Sequence, residues 1–140
     1  MGSFPAWGAY ENRPMWIPGI ADKPLEELTM SQVTIAGCNY YPEPIFAEYN
    51  TYSDDVQAGF YAAMGGNPRD FSDQLEANID HIKANTANYR YYVPGGGEHC
   101  IMNLDRFYNT EVEGVPFQSW VSDLAEGLDV PDVHCVNCEE

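Results

Sequence analysis

Two short β-prone runs, "IFAEYN" at 45–50 and "YRYYV" at 89–93, stand apart with two helix-patterned stretches between them, and a further helical stretch follows the second run. Strands that alternate with helices read as a parallel sheet, the α/β class. In such sheets chemistry sits on loops beyond the carboxyl ends of the strands. Here those loops are "NTYSDD" after the first run and "PGGGEHC" after the second.

The helices are read from apolar spacing. Val56, Phe60 and Met64 recur at i, i+4 and i+8, and Gly65 and Gly66 supply a left-handed stop. A second helix, capped by Ser72 or Asp70, has Leu75, Ile79 and Ile82 as its buried stripe; His81 lies off that stripe and reads as an exposed helical histidine. After a turn or hairpin at "EVEGVPF", the residues Phe117, Trp120, Val121 and Leu124 give a last helix its apolar face, and Gly127 ends it. Nearer the start, Leu25, Leu28 and Val33 anchor one short helix.

The 140 residues are enough for one domain, and a 44% hydrophobic share sets the chain apart from disordered compositions. It divides into a Trp- and Pro-rich wrapping segment over 1–44, a strand–helix core over 45–127 that carries both loops, and an acidic, Cys-containing tail over 128–140. Trp7 and Trp16 read either as packing onto the domain body or as lining a pocket.

Charge narrows the partners. With 22 Asp and Glu against 6 Lys and Arg, the net charge of −16 repels phosphate backbones and anionic lipid heads, which argues against nucleic-acid and membrane-surface roles. No apolar run approaches the ~20 residues of a membrane span, and no signal peptide is visible at the start. Four cysteines, Cys38, Cys100, Cys135 and Cys138, allow two disulfides in three connectivities. "HCVNC" has metal-type spacing but only one such pair, so zinc ranks below a disulfide or free thiols, and no metal is expected.

An acid after one strand and a histidine after the next is the second half of the Ser, Asp, His order of an α/β-hydrolase. The imidazole takes a proton from the serine and returns it to the leaving group, while the carboxylate fixes the tautomer and stabilises the imidazolium. Taken alone the pattern is weak. Asp54 and Asp55 are equally placed to cap the helix that starts near Val56, and His99 could be an ordinary loop histidine.

"NTYSDDVQAGFYAAMGG", "YRYYVPGGGEHCIM" and "EVEGVPFQSWVSDLAEG" followed by "VHCVNC" resemble the C-terminal half of bacterial members of the pectin acetylesterase family, to which the lipid deacylase Notum belongs. The opening "WGAYENRPMWIPG" is similar to a family segment a little downstream of the nucleophile. The resemblance implies the C-terminal part of an α/β-hydrolase fold that cleaves carboxylic esters without a cofactor. Its acid, in an Asp-x-x-Gln pattern, falls on Asp54, leaving Asp55 as the cap; its histidine falls on His99. Glu98 and the Trp7 to Trp16 stretch would shape the pocket. The substrate implied is a small acyl ester or an acetylated polysaccharide. Members are commonly exported, which with paired cysteines implies an extracellular or periplasmic setting.

The departure is at the nucleophile. No G-x-S-x-G motif or close variant occurs, and Ser3, Ser31, Ser53, Ser72, Ser119 and Ser122 all lack the strand, turn and helix context of an elbow. The oxyanion-hole loop is missing as well. The expectation is therefore a fold truncated before the nucleophile elbow, with Met1 an internal methionine or the start of a shortened gene, and no esterase activity for the chain alone. A half sheet would leave an unpaired edge prone to self-association. The alternative is a non-catalytic acidic module that binds a partner or Ca²⁺ through "NTYSDD", although that stretch lacks the spaced ligands of an EF-hand.

Overall fold

The structure is a computed structural model that describes residues 11–24, 27–102 and 104–138. Trp7, Ser3 and Leu25 lie outside the described residues. The fold is mixed α/β, built on a small parallel sheet of three strands.

Near the start, α1 (Pro18–Ala21) packs on α2 (Met30–Tyr40) through Ile17, Ile20, Leu28 and Ala36. Contact is close: a Cβ on Gly19 would stand 2.9 Å from that of Ala36. Of the short helix expected over Leu25, Leu28 and Val33, the described residues show α2 starting at Met30. Thr29 is the reason, since its hydroxyl accepts the N–H of Gln32 and starts the helix there.

The core then runs β1 (Phe46–Tyr49), α3 (Asp55–Ala63), a 3₁₀ turn at Pro68–Asp70, α4 (Phe71–Asn85) and β2 (Tyr89–Val93). β1 and β2 pair in parallel from Phe46 opposite Tyr89 to Tyr49 opposite Tyr92. Asn88 fixes where this ladder begins, because its side-chain amide lies within hydrogen-bonding distance of the carbonyls of Cys38, Tyr41 and Pro44. Leu75, Ile79 and Ile82 of α4 are buried with Cys38, Tyr89 and Val93 on one face of the sheet. α3 behaves differently. Its stripe of Val56, Phe60 and Met64 is exposed, with Phe60 at 65%, so the helical spacing is real but faces no layer among the described residues.

On the other face, α5 (Arg106–Asn109), the hairpin β3 (Glu111–Val112) with β4 (Val115–Pro116), and α6 (Phe117–Ala125) close a second core. Its centre is aromatic: Tyr92, Phe117 and Trp120 meet with ring centroids 5.0 to 6.1 Å apart. The Tyr92 hydroxyl donates to the Val115 carbonyl at 2.6 Å and ties the sheet to the hairpin. Glu113 and Gly114 turn that hairpin with positive φ at both positions, the geometry that matches strand twist.

Residues 128–138 are not a loose polar tail. Val133–His134 form β5, a third parallel strand beside β2, with Tyr92 opposite Val133. Val130 and Val133 are buried, the Trp120 indole donates to the Pro131 carbonyl, and Asp129 and Asp132 form ion pairs with Arg90 and Lys83. Acidic side chains hid the strand from a composition-based reading, since Asp129 is answered by Arg90 on β2 and Asp132 by Lys83 on α4. Among the described residues no helix is long and apolar enough to cross a membrane.

Candidate active site

Pairing of β1 with β2 does not stop where the strands end. Asn50 N–H donates to the Tyr92 carbonyl, Tyr52 to Pro94, Ser53 to Gly96 and Asp55 to Gly97, so the two following loops run side by side. Thr51, itself buried, adds its hydroxyl to the Glu98 carbonyl at 2.7 Å. This extended zipper brings the acid of one loop to the histidine of the other.

Asp54 is fully buried, and His99 Nδ1 lies 2.9 Å from its Oδ2. The same Oδ2 accepts from Gln57 Nε2 at 2.9 Å, while Oδ1 accepts the backbone N–H groups of Val56 and Gln57. Burial pushes the Asp54 carboxyl up, but the amide bonds from Gln57 and the His99 contact outweigh it and hold the group below its usual range. An ionised carboxylate can only accept, so Nδ1 carries a proton, and the neutral form of the ring has its lone pair on Nε2. The His99 side chain is 43% exposed, which leaves that lone pair approachable.

Asp54, not Asp55, is the helix cap. One carboxylate performs both tasks that the sequence reading divided between neighbours, because its two oxygens point to opposite partners. Gln57 is a contact of the acid rather than an incidental pattern residue, and it links further: its amide also donates to Asn50 Oδ1, Asn50 donates to Glu48, and the Tyr89 hydroxyl donates to Glu48 at 2.6 Å. Asn50 and Thr51 stand in the "NTYSDD" loop, but their bonds to Gln57 and Glu98, and the part of Glu48, were not read from the sequence. The available signal was the polar run that begins at Asn50, directly after β1, with Glu48 the one acid within the strand.

Glu98 lines a cavity of about 500 Å³ together with Tyr49, Thr51, Arg106 and Thr110. Its Oε1 is 2.7 Å from Arg106 Nη2, whereas Oε2 is buried with no hydrogen-bond partner among the described residues. Burial, and then the nearby Glu98 charge, pushes the Tyr49 hydroxyl well above its ordinary range, so it remains a proton donor. Trp16 is elsewhere. It is 66% exposed, its indole reaches the Tyr41 hydroxyl at 3.4 Å, and it does not line this cavity.

The cysteines form one disulfide, Cys135–Cys138, rather than two. Cys38 is buried in the core beside α4 and Cys100 is exposed, so both remain free thiols. "NTYSDD" gathers no cation cage either, since the Asp54 oxygens are taken by its own helix, Gln57 and His99.

The fold and this pair define a parallel α/β domain carrying a buried aspartate bonded to an accessible histidine. No protein-family model, curated protein or solved structure matches the chain.

Proposed function

We propose that Asp54 and His99 are the acid and the base of a serine-hydrolase relay acting on acyl esters, in the manner of a pectin acetylesterase-like α/β-hydrolase. The observation that carries this reading is the 2.9 Å bond between His99 Nδ1 and a buried carboxylate held ionised by three further donors. That arrangement fixes the tautomer that a general base requires and stabilises the imidazolium formed when it takes a proton. The serine is supplied from outside residues 1–140. Among the described residues no serine hydroxyl bonds His99, and no elbow motif occurs in the sequence.

The cavity lined by Glu98, the residue before His99, suits a hydroxyl-rich alcohol component, such as an acetylated saccharide. Glu98 and Thr51 line it as polar groups, and Arg106 and Tyr49 offer donors. The exposed stripe on α3 and the outer edge of β1 are where a partner layer, or a second copy of the chain, would sit.

The test extends the chain along its own reading frame upstream of Met1. Turnover of p-nitrophenyl acetate by the extended protein, lost on His99→Ala and cut strongly by Asp54→Asn, is the expected result. An upstream frame with no Gly-x-Ser elbow, or turnover indifferent to His99→Ala, sinks the proposal.

A further inference from the structure

The segment from His134 to Cys138 concentrates soft ligand atoms outside the Asp54–His99 pair. His134 Nδ1 is 3.8 Å from Cys138 Sγ, and one ligand atom from each of His134, Cys135 and Cys138 falls within 4.8 Å of the others. On the far side of the ring, His134 Nε2 is 3.6 Å from a carboxylate oxygen of Glu76 on α4. These residues border a cavity of about 640 Å³ with Tyr52 and Asn137.

With the sulfurs parted, the cluster suits a metal site. With Zn–S near 2.3 Å and Zn–N near 2.0 Å, tetrahedral ligands stand roughly 3.5 Å apart, close to the separation of His134 from Cys138. A carboxylate facing the ring nitrogen that does not bind metal is the usual support for a histidine ligand, and Glu76 holds that place. β5 supplies a rigid base for the first ligand, while Val136 is 74% exposed and leaves the turn free to adjust.

We propose that Cys135, Cys138 and His134, with Glu76 orienting the imidazole, form a thiol-gated site for a soft divalent cation of the zinc class, closed as the disulfide and open as the dithiol. Opening is thiol–disulfide exchange with a dithiol reductant. The Cys135–Cys138 bond breaks, its sulfurs take up two electrons and two protons, and the reductant leaves as its own disulfide. Cation binding then releases the two thiol protons to solvent. In the closed form His134 Nδ1 lies 2.8 Å from the Cys135 carbonyl and donates to it; on binding the ring proton passes to Nε2, which faces Glu76. Three protein ligands leave the fourth tetrahedral position to water, for which the cavity has room.

The experiment uses a Cys38→Ser, Cys100→Ser background so that only this pair contributes thiols. The protein is reduced with dithiothreitol, desalted without oxygen and titrated with Co²⁺. One equivalent per chain, a thiolate-to-cobalt charge-transfer band and tetrahedral d–d absorption are expected, all displaced by Zn²⁺ and all absent before reduction. His134→Ala and Glu76→Gln should each weaken binding by about tenfold or more. A reduced chain with no charge-transfer band overturns the site. So does binding of equal strength and unchanged d–d absorption after His134→Ala, which would describe a bare dithiol.

Discussion

His99 Nδ1 and Asp54 Oδ2 are 2.9 Å apart, and the other oxygen of the same carboxylate starts helix α3. The histidine is therefore oriented by a group that the fold already needs. Asp54→Ala should cost about 1–2 kcal/mol, because it removes the cap that accepts the Val56 and Gln57 N–H groups. His99→Ala, at a half-exposed ring, should cost under about 1 kcal/mol. Urea unfolding of both variants checks this; equal losses would mean that the carboxylate serves the histidine alone.

Asp54 also sets an acid limit. Its folded pKa is depressed, so the native state binds fewer protons than the unfolded chain once pH falls near the ordinary value of 3.8. The contribution is fully present at neutral pH and drains away as pH drops through the folded pKa. Acid titration of stability should show a limb below about pH 4 that is flatter in Asp54→Asn.

Tyr92 sets an alkaline counterpart. Burial pushes its phenol from 10 up to about 12, and Tyr49 and Tyr89 are raised as well. A raised folded pKa gives stability that is complete below pH 10 and lost as pH climbs toward 12. Tyr92→Phe should cost about 1 kcal/mol at neutral pH through its lost bond to Val115, yet soften the alkaline loss. Unfolding midpoints from pH 7 to 11 measure both effects.

Thiol chemistry checks the cysteine assignment. Cys100 is exposed, whereas Cys38 is 1% exposed with its thiol pushed up by burial. An Ellman assay on the native oxidised protein should register one fast thiol, a second only in denaturant, and two more after reduction. Two fast native thiols would contradict the buried position of Cys38.

The chain by itself should hydrolyse p-nitrophenyl acetate no faster than an equal concentration of free imidazole. His99 has its orienting acid, but an imidazole without a positioned nucleophile and oxyanion donors lacks the larger catalytic terms. A rate well above imidazole that disappears in His99→Ala would mean that a nucleophile is already present.

What was legible beforehand follows from which residues act locally. The α4 stripe, the β2 run and the Glu113–Gly114 turn announce themselves through spacing and turn chemistry, and each stands where expected. The loops of Asp54 and His99 were singled out because they follow β-prone runs, and the family resemblance chose Asp54 over Asp55; the structure brings the two side chains together. The two jobs of Asp54 were not legible, since capping and histidine contact depend on which oxygen faces which neighbour. β5 escaped because two residues give no periodicity and its acidic surroundings read as solvent-facing until Arg90 and Lys83 are placed. α3 misled in the opposite way: helical spacing reports a helix, not what covers it.

The parallel registers bear on time as well as on shape. Phe46 pairs with Tyr89 and Tyr92 with Val133, so each ladder must close a crossover of roughly forty residues before any strand bond rewards the search. Helices α4 and α6 can form within their own sequence, but the sheet cannot zip from a hairpin. Assembly of this domain is thus slow by topology, and because Asp54 and His99 sit beyond the ends of β1 and β2, their meeting comes only after the central ladder has formed.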